Sequence, residues 1–223
     1  MKHIKSKKLV LSALALLFLS GIATANELDP LNQDELVQAT RIALPTQAHA
    51  ARAVGKKTVV AALPAVELLL VERRPTEKDQ PGQRLADVYS YDYQSDETVH
   101  SIVDLKTQNP VSTERVQNLQ LPLTENELAY ASQLIFTDPE QMAPLQAEFK
   151  RITGQVLTKP EQLQVKAFVF TAETLPEGLN AASQQCGLHR CAQILLYTHD
   201  SVVFEISPIV NLSAGLVTQS IGF

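Results

Sequence analysis

The stretch LNQDEL at residues 31–36 returns in altered form as LTENEL at residues 123–128. Each copy is followed by a helical pattern, an apolar strand and a hairpin, and the two hairpins align over residues 84–105 and 190–212. An internal repeat of this length predicts two copies of one structural unit. We therefore expect a pair of similar modules rather than one continuous domain.

Each copy begins with a pattern typical of a helix N-terminus. Asn32 and Thr124 can cap a helix with a side-chain oxygen, and a glutamate stands three residues later in both copies, at Glu35 and Glu127. In the second copy, Thr137 or Asp138 is expected to cap a further helix. Runs of β-branched and alternating residues, separated by turn residues, then predict about four strands per copy.

The predicted fold class is α+β, with two tandem cystatin-like modules, each a helix packed on a roughly four-stranded antiparallel sheet. We place the first module at residues 26–121 and the second at residues 122–223. A module of about 100 residues can bury a modest core of its own.

The first 25 residues have the pattern of an export signal. Lysines precede the apolar run from Leu9 to Leu19, and Ala23-Thr24-Ala25 matches the small-x-small cleavage pattern. The apolar run is shorter than the roughly 20 residues that a transmembrane helix needs. We expect a signal peptide over residues 1–25, and a periplasmic or secreted protein that does not bind a membrane after cleavage.

The charge balance of the chain is acidic. The sequence has 19 Lys and Arg against 24 Asp and Glu, and the first 25 residues hold four of the former and none of the latter, which leaves −9 after cleavage. Nucleic acids and anionic lipids bind patches of Lys and Arg. The composition therefore predicts no nucleic-acid partner.

Cys186 and Cys191 are the two cysteines of the chain. An oxidising exported compartment favours a disulfide between them, which would pin the long connector of the second module to its hairpin. The two thiolates and His189 could instead bind a metal, although zinc normally takes four ligands and the sequence shows no fourth. Free thiols are the third possibility.

Tyr89, Tyr91 and Tyr93 alternate along one strand, so they share one face. Packing under the helix or against the neighbouring module is the favoured interpretation. Because tyrosine is enriched at interfaces, Tyr91 and Tyr93 are also a possible interaction surface. The second copy has Leu195 in place of Tyr89, and this replacement predicts that Tyr89 belongs to the core.

The remaining candidates for chemistry are weak. The four histidines that follow the signal fall in separate elements, and single surface histidines are the simplest interpretation; they are His49, His100, His189 and His199. No Gly-x-Ser-x-Gly elbow is present. We therefore expect no catalytic residues, no metal site and no cofactor.

Three stretches resemble the N-terminal part of copper amine oxidases: Val66 to Lys78, Arg84 to Leu105, and the junction from Gln120 to Glu127. The opening Leu28-Asp29-Pro30-Leu31 is similar to the start of those enzymes. In that family, such modules are non-catalytic, cystatin-like units beside a large C-terminal β-sandwich. The sandwich carries a quinone-forming tyrosine and three copper-binding histidines.

The catalytic pattern of that family has no counterpart in this sequence. Tyr91-Asp92 is preceded by Ser90 rather than Asn, and no His-x-His pair exists. The resemblance thus implies an exported, non-catalytic interaction or accessory protein, not an enzyme, with a protein partner that the sequence does not identify. The alternatives are a factor or subunit linked to amine oxidation, associated with copper or a quinone, and a protein that binds a small ligand between its modules.

Overall fold

The computed structural model describes residues 28–45, 62–75, 82–175 and 177–222. Three predicted features lie outside these residues: the signal peptide, a helical continuation over residues 48–54, and nearly all of a short strand at residues 58–62. The described chain forms three α-helices and two four-stranded antiparallel sheets. This confirms the predicted α+β class with two tandem helix-on-sheet modules.

The first module packs one helix on one sheet, in which the strands follow chain order. Its elements are α1 (Gln33–Ala43), β1 (Val66–Arg73), β2 (Leu85–Asp92), β3 (Glu97–Asp104) and β4 (Asn109–Val116). The core lies between α1 and the sheet, where Ala39 of the helix meets Val88 and Val103 of the two central strands. We call this side of the sheet its packed face and the other side its open face.

The second module repeats this layout with one more helix. Its elements are α2 (Glu125–Thr137), α3 (Pro139–Thr153), β5 (Gln164–Val169), β6 (Cys191–Tyr197), β7 (Ile206–Asn211) and β8 (Leu216–Gly222). Its larger core includes Ile135, Phe149 and Ile194, all at most 4% exposed. The predicted module boundary at residues 121 and 122 falls between β4 and α2, and its position stays a prediction.

The predicted helix starts are confirmed. Asn32 caps α1 and Thr124 caps α2, each in a complete capping box with the glutamate three residues on. Asp138 caps α3, and Gly154 ends it with φ 72°, a left-handed conformation that glycine adopts at little cost. Within the described residues, no helix is both long and apolar enough to cross a membrane.

Candidate interaction sites

Each module holds an arginine–glutamate pair that joins the start of its hairpin to the start of its helix. In the first module, Arg84 donates to both carboxylate oxygens of Glu35, from Nε at 2.8 Å and from Nη2 at 2.7 Å. In the second, Arg190 donates from Nε to Oε1 of Glu127 and from Nη2 to Oε2 at 2.9 Å. The repeated sequence motif therefore produces a repeated bidentate ion pair, a geometry in which two parallel hydrogen bonds fix the guanidinium.

The same arginines bind the segment that leads into each helix. The acceptors are the carbonyl oxygens of Asp29 (2.6 Å) and Pro30 (3.0 Å) for Arg84, and of Leu121 (3.1 Å) and Pro122 (3.0 Å) for Arg190. Each guanidinium thus ties together a helix N-terminus, the residues before it and the first residue of a hairpin.

The two ion pairs differ in burial because the first module covers the second pair. The side chains of the first pair are 6% and 17% exposed, whereas those of the second are both 0% exposed. The ring of Tyr91 lies 5.4 Å from the guanidinium carbon of Arg190, and Tyr93 donates its hydroxyl to Oε1 of Glu127 at 2.6 Å. Burial is the largest single influence on the pKa of Arg190 and lowers it, but the hydrogen bonds to Glu127 and the charge of that carboxylate, with smaller contributions from Tyr93 and Tyr91, together raise it.

This contact agrees with the favoured interpretation, in which the tyrosines pack against the neighbouring module, and not with the alternative of Tyr91 and Tyr93 as an exposed interaction surface. Tyr91 is only 1% exposed and donates its hydroxyl to Asp96 at 3.1 Å. Tyr93 packs against the core of the second module. Burial raises the pKa of both hydroxyl groups. The open face of β2 meets the second module at this end of the strand, so these two tyrosines join the modules to each other.

A further carboxylate, Glu67 on β1, is buried in the same contact. It is 4% exposed and accepts hydrogen bonds from Thr124 Oγ1 at 2.8 Å and from Asn126 Nδ2 at 3.0 Å. Burial raises the pKa of Glu67; the two hydrogen bonds act in the opposite direction, and the nearby carboxylate of Glu127 adds to the rise. The contact therefore places two carboxylates beside one guanidinium, that of Arg190.

Cys186 and Cys191 form a disulfide, as the redox argument predicted. The ring that it closes supplies much of the second module's side of the contact. Gly187 accepts a hydrogen bond from Gln120 Nε2 at 3.0 Å, and His189 Nε2 lies 3.8 Å from a carboxylate oxygen of Asp96. Arg190 is the next residue of the same ring. The disulfide thus fixes the position of the residues that contact the first module.

The open face of the first sheet carries a cluster of ionisable and aromatic side chains. Asp87 Oδ1 accepts from Arg74 Nη1 at 2.8 Å and lies 2.7 Å from His100 Nε2. The ring of Tyr89 is stacked on that of His100, with centroids 4.3 Å apart and planes 6° from parallel. The prediction that Tyr89 belongs to the core is therefore wrong: Val88, not Tyr89, points to α1.

The open face of the second sheet is neutral at the corresponding positions. Gln193 Nε2 donates to Ser207 Oγ at 3.1 Å where the first module has its Asp87–His100 pair, and Leu195 replaces Tyr89. Part of this face is covered by the connector, through a cluster that contains the disulfide and Ile209. In the part of the chain that the structure describes, no segment covers the side of this face near β5, where Phe168 is exposed.

That uncovered part has an apolar and aromatic character. Phe168 is 52% exposed although it lies in a strand. Lys166, directly opposite Leu195 on β6, holds its ammonium 5.6 Å from the ring centroid of Tyr197. Exposed phenylalanine beside aliphatic and aromatic neighbours is the composition of a protein-binding surface.

A shallow cleft of about 390 Å³ lies within the second module, between the end of α3 and the turn after β6. One wall is His199, whose Nε2 lies 2.9 Å from the carbonyl oxygen of Glu161 and whose Nδ1 lies 3.3 Å from the side-chain amide of Gln164. Both ring nitrogens therefore have structural partners. His49 lies outside the described residues, and within those residues no group of three His, Cys, Asp or Glu side chains is placed to hold a metal ion.

Sequence reasoning missed both ion-pair sites and the Asp87–His100 pair. One signal was available: an arginine opens both aligned hairpins, and a glutamate follows both caps at the same spacing. Pairing those two positions would have required knowing that the hairpin start and the helix start meet, which only tertiary structure provides.

The sequence matches no protein-family model and no curated protein. Among solved structures, a copper-containing benzylamine oxidase from Hansenula polymorpha is similar, with a TM-score of 0.55 and 13% sequence identity. The match covers 89% of this chain but 30% of that enzyme's chain. At this identity the likeness establishes the fold, and it supports the predicted similarity to copper amine oxidases.

The fold and its contacts define a class: a tandem-repeat α+β protein whose two modules meet through a buried, hydrogen-bonded ion pair. The more specific equivalence to the N-terminal modules of amine oxidases stays a prediction.

Proposed function

We propose that this chain is an exported, non-catalytic interaction protein that binds a protein partner through the uncovered open face of its second sheet. The observation that carries the proposal is Phe168, which is 52% exposed on the edge strand β5, on the sheet face that also presents Leu195 and Tyr197. Large aromatic side chains are among the residues that contribute most to protein binding.

The charged groups singled out at the module contact support a non-catalytic role. Arg190, Glu127 and Tyr93 bind one another, and Glu67 binds Thr124 and Asn126. These groups hold two modules together, so their chemistry is already used for structure. Export is supported by the signal pattern and by a buried disulfide, which persists in oxidising compartments.

The partner we favour is a catalytic chain of the copper amine oxidase type, which would make this protein an accessory subunit in amine oxidation. The likeness to a benzylamine oxidase supports this, because the match covers 89% of this chain and 30% of that chain. In the resembling family, such modules bury one side against the large domain. We expect the corresponding side of these modules to contact a catalytic chain.

Capture by the tagged mature protein from the exported fraction of its own cells tests the proposal. We expect a reproducible partner, which is then purified and titrated against the wild-type chain and two variants. Phe168→Asp should weaken the complex about tenfold, since aromatic residues at hot spots commonly contribute about 2 kcal/mol.

Val111→Asp is the matched control, because Val111 is also an exposed apolar residue of an edge strand, at 60% exposure, but lies in the first sheet. Equal affinity of the two variants, or no reproducible partner, would contradict the proposal. Copper analysis and a redox-cycling quinone stain of the captured partner then decide whether it is an amine oxidase.

A further inference from the structure

The cluster on the open face of the first sheet is more polar than the fold requires. Asp87 has a side chain only 8% exposed, and burying a carboxylate is costly unless it is fully paired. The second module provides an internal comparison: it fills the same positions with Gln193, Ser207 and Leu195 and still forms its sheet. The ionisable cluster is therefore not a condition for folding.

The buried carboxylate fixes the orientation of the half-buried His100 ring, whose side chain is 18% exposed. His100 Nε2 lies 2.7 Å from Asp87, which directs Nδ1 away from that carboxylate. No hydrogen bond to Nδ1 is present in the described chain, and no buried side-chain nitrogen there lacks a partner, so Nδ1 of His100 is in contact with solvent. The ring of Tyr89 is stacked on the ring of His100.

Two carboxylates flank the stack. Glu114 stands directly opposite His100 on β4, and Glu72 stands directly opposite Asp87 on β1. Cross-strand neighbours have Cβ atoms about 5 Å apart and share a face. Both glutamates are exposed, and neither has an ion-pair partner in the described part of the chain, whereas the nearby Arg74 is already bound to Asp87. Burial and the carboxylates of Asp87 and Glu72 raise the pKa of Tyr89.

We infer that this face recognises a basic segment of a protein partner, with lysine or arginine side chains seated against the Tyr89–His100 stack, one on the Glu72 side and one on the Glu114 side. The two rings cover each other's inner faces, so the outer face of Tyr89 is the one that can attract a cation, and the neighbouring carboxylates add to the attraction. Asp87 is a positioning residue in this arrangement. The inference rests on the proposed function, since it specifies the charge of a protein partner, but it uses a different sheet from the Phe168 surface.

Titration of the mature protein with short peptides tests the inference directly. The probes are a decapeptide of alternating Arg and Ala and a decapeptide of alternating Glu and Ala. We expect the basic peptide to bind and to shift the ring resonances of His100 and Tyr89, and the acidic peptide not to bind. The double variant Glu72→Gln/Glu114→Gln should weaken binding about tenfold, the sum of two partly exposed charge contacts.

Tyr89→Leu should also weaken binding several-fold without loss of the fold, because leucine is the residue that the second module carries at this position. The control is Glu161→Gln/Glu173→Gln, which removes the same charge from two exposed residues of the second module. An equal loss in this control would show general charge attraction and overturn the inference, as would a basic peptide that does not bind.

These outcomes are independent of the capture experiment. A partner that is lost with Phe168→Asp but bound normally by Glu72→Gln/Glu114→Gln would leave the proposed function in place and remove this surface. A failure to capture any partner would leave peptide binding to be measured on its own.

Discussion

The two modules contain the same ion pair in two environments. In the first module, Glu35 is 17% exposed and Arg84 is 6% exposed, whereas Glu127 and Arg190 are fully enclosed. The bidentate contact and the two backbone carbonyls that each arginine binds are the same in both modules, and Arg190 also donates to Gln120 Oε1 at 3.2 Å. The difference arises from what lies on top: in the second module, Tyr91 and Tyr93 of the first module cover the pair.

This difference shows how one local device can serve two levels of structure. In the first module, the pair joins a helix cap to a hairpin and its carboxylate is in partial contact with water, so we expect a smaller net contribution. Under the first module, it becomes the centre of the contact between modules, where an unpaired partner would be very unfavourable. The repeated motif determines the geometry of the ion pair, and the residues around the pair determine how much it contributes to stability.

Removal of the carboxylate from each pair gives the largest expected effect. Glu127→Ala leaves the guanidinium of Arg190 buried without its partner, and should lower the free energy of unfolding by about 3–5 kcal/mol. Glu35→Ala exposes Arg84 to water and loses one capping-box bond, for about 1 kcal/mol. Urea unfolding followed by circular dichroism measures both.

Equal destabilisation by the two variants would contradict the comparison of the two ion pairs. If Glu35→Ala and Glu127→Ala destabilise equally, burial by the first module does not change the energy of the pair. Glu125→Ala, at an exposed position in the same helical turn as Glu127, controls for helix propensity and should change stability by less than about 0.5 kcal/mol.

The disulfide gives the next expected effect, and it exists in one module only. Replacing Cys186 and Cys191 by serine opens a loop with a sequence separation of 5. In the chain-entropy treatment, so short a loop contributes about 2 kcal/mol. Hydrogen exchange should increase in residues 186–191 and at the contact around Tyr93, while α1 and its sheet stay protected. Unchanged hydrogen exchange at Tyr93 would show that the loop closed by the disulfide does not position the contact between the modules.

The helices and their ends were predictable because capping is local. Asn32, Thr124 and Asp138 act within three residues of their own positions, so the sequence contains the whole interaction. The disulfide was predictable for a similar reason, since the chain has two cysteines and they are five apart. The repeat then supplied the order of elements for both modules.

The faces of β2 were not predictable with the same reliability. Val88 and Tyr89 are both suited to a core, and alternation alone does not say which of the two faces receives the helix. The Asp87–His100 pair spans two strands and depends on their register. Arg190 and Glu127 are 63 residues apart along the chain, and the tyrosines that cover them belong to the other module. Such long-range contacts leave little local signal.

The smallest expected effect concerns Glu67, the second buried carboxylate at the contact between the modules. Because burial raises its pKa, its charged form is disfavoured in the folded protein. The stability linked to this group is therefore fully present below its unfolded pKa and is lost as the pH rises through the raised folded pKa. Glu67→Gln keeps an oxygen for Thr124 and Asn126 but removes the charge.

The variant should raise the free energy of unfolding at pH 7 by an amount on the order of 1 kcal/mol, the usual scale of a single buried change. The gain over wild type should shrink towards pH 4, where the wild-type carboxyl is protonated as well. Thermal unfolding across that range measures it, with Glu114→Gln, an exposed glutamate on β4, as the control. A destabilised Glu67→Gln at pH 7 would mean that the negative charge of Glu67 is needed beside Arg190, and the contact would then contain one guanidinium balanced by two carboxylates rather than by Glu127 alone.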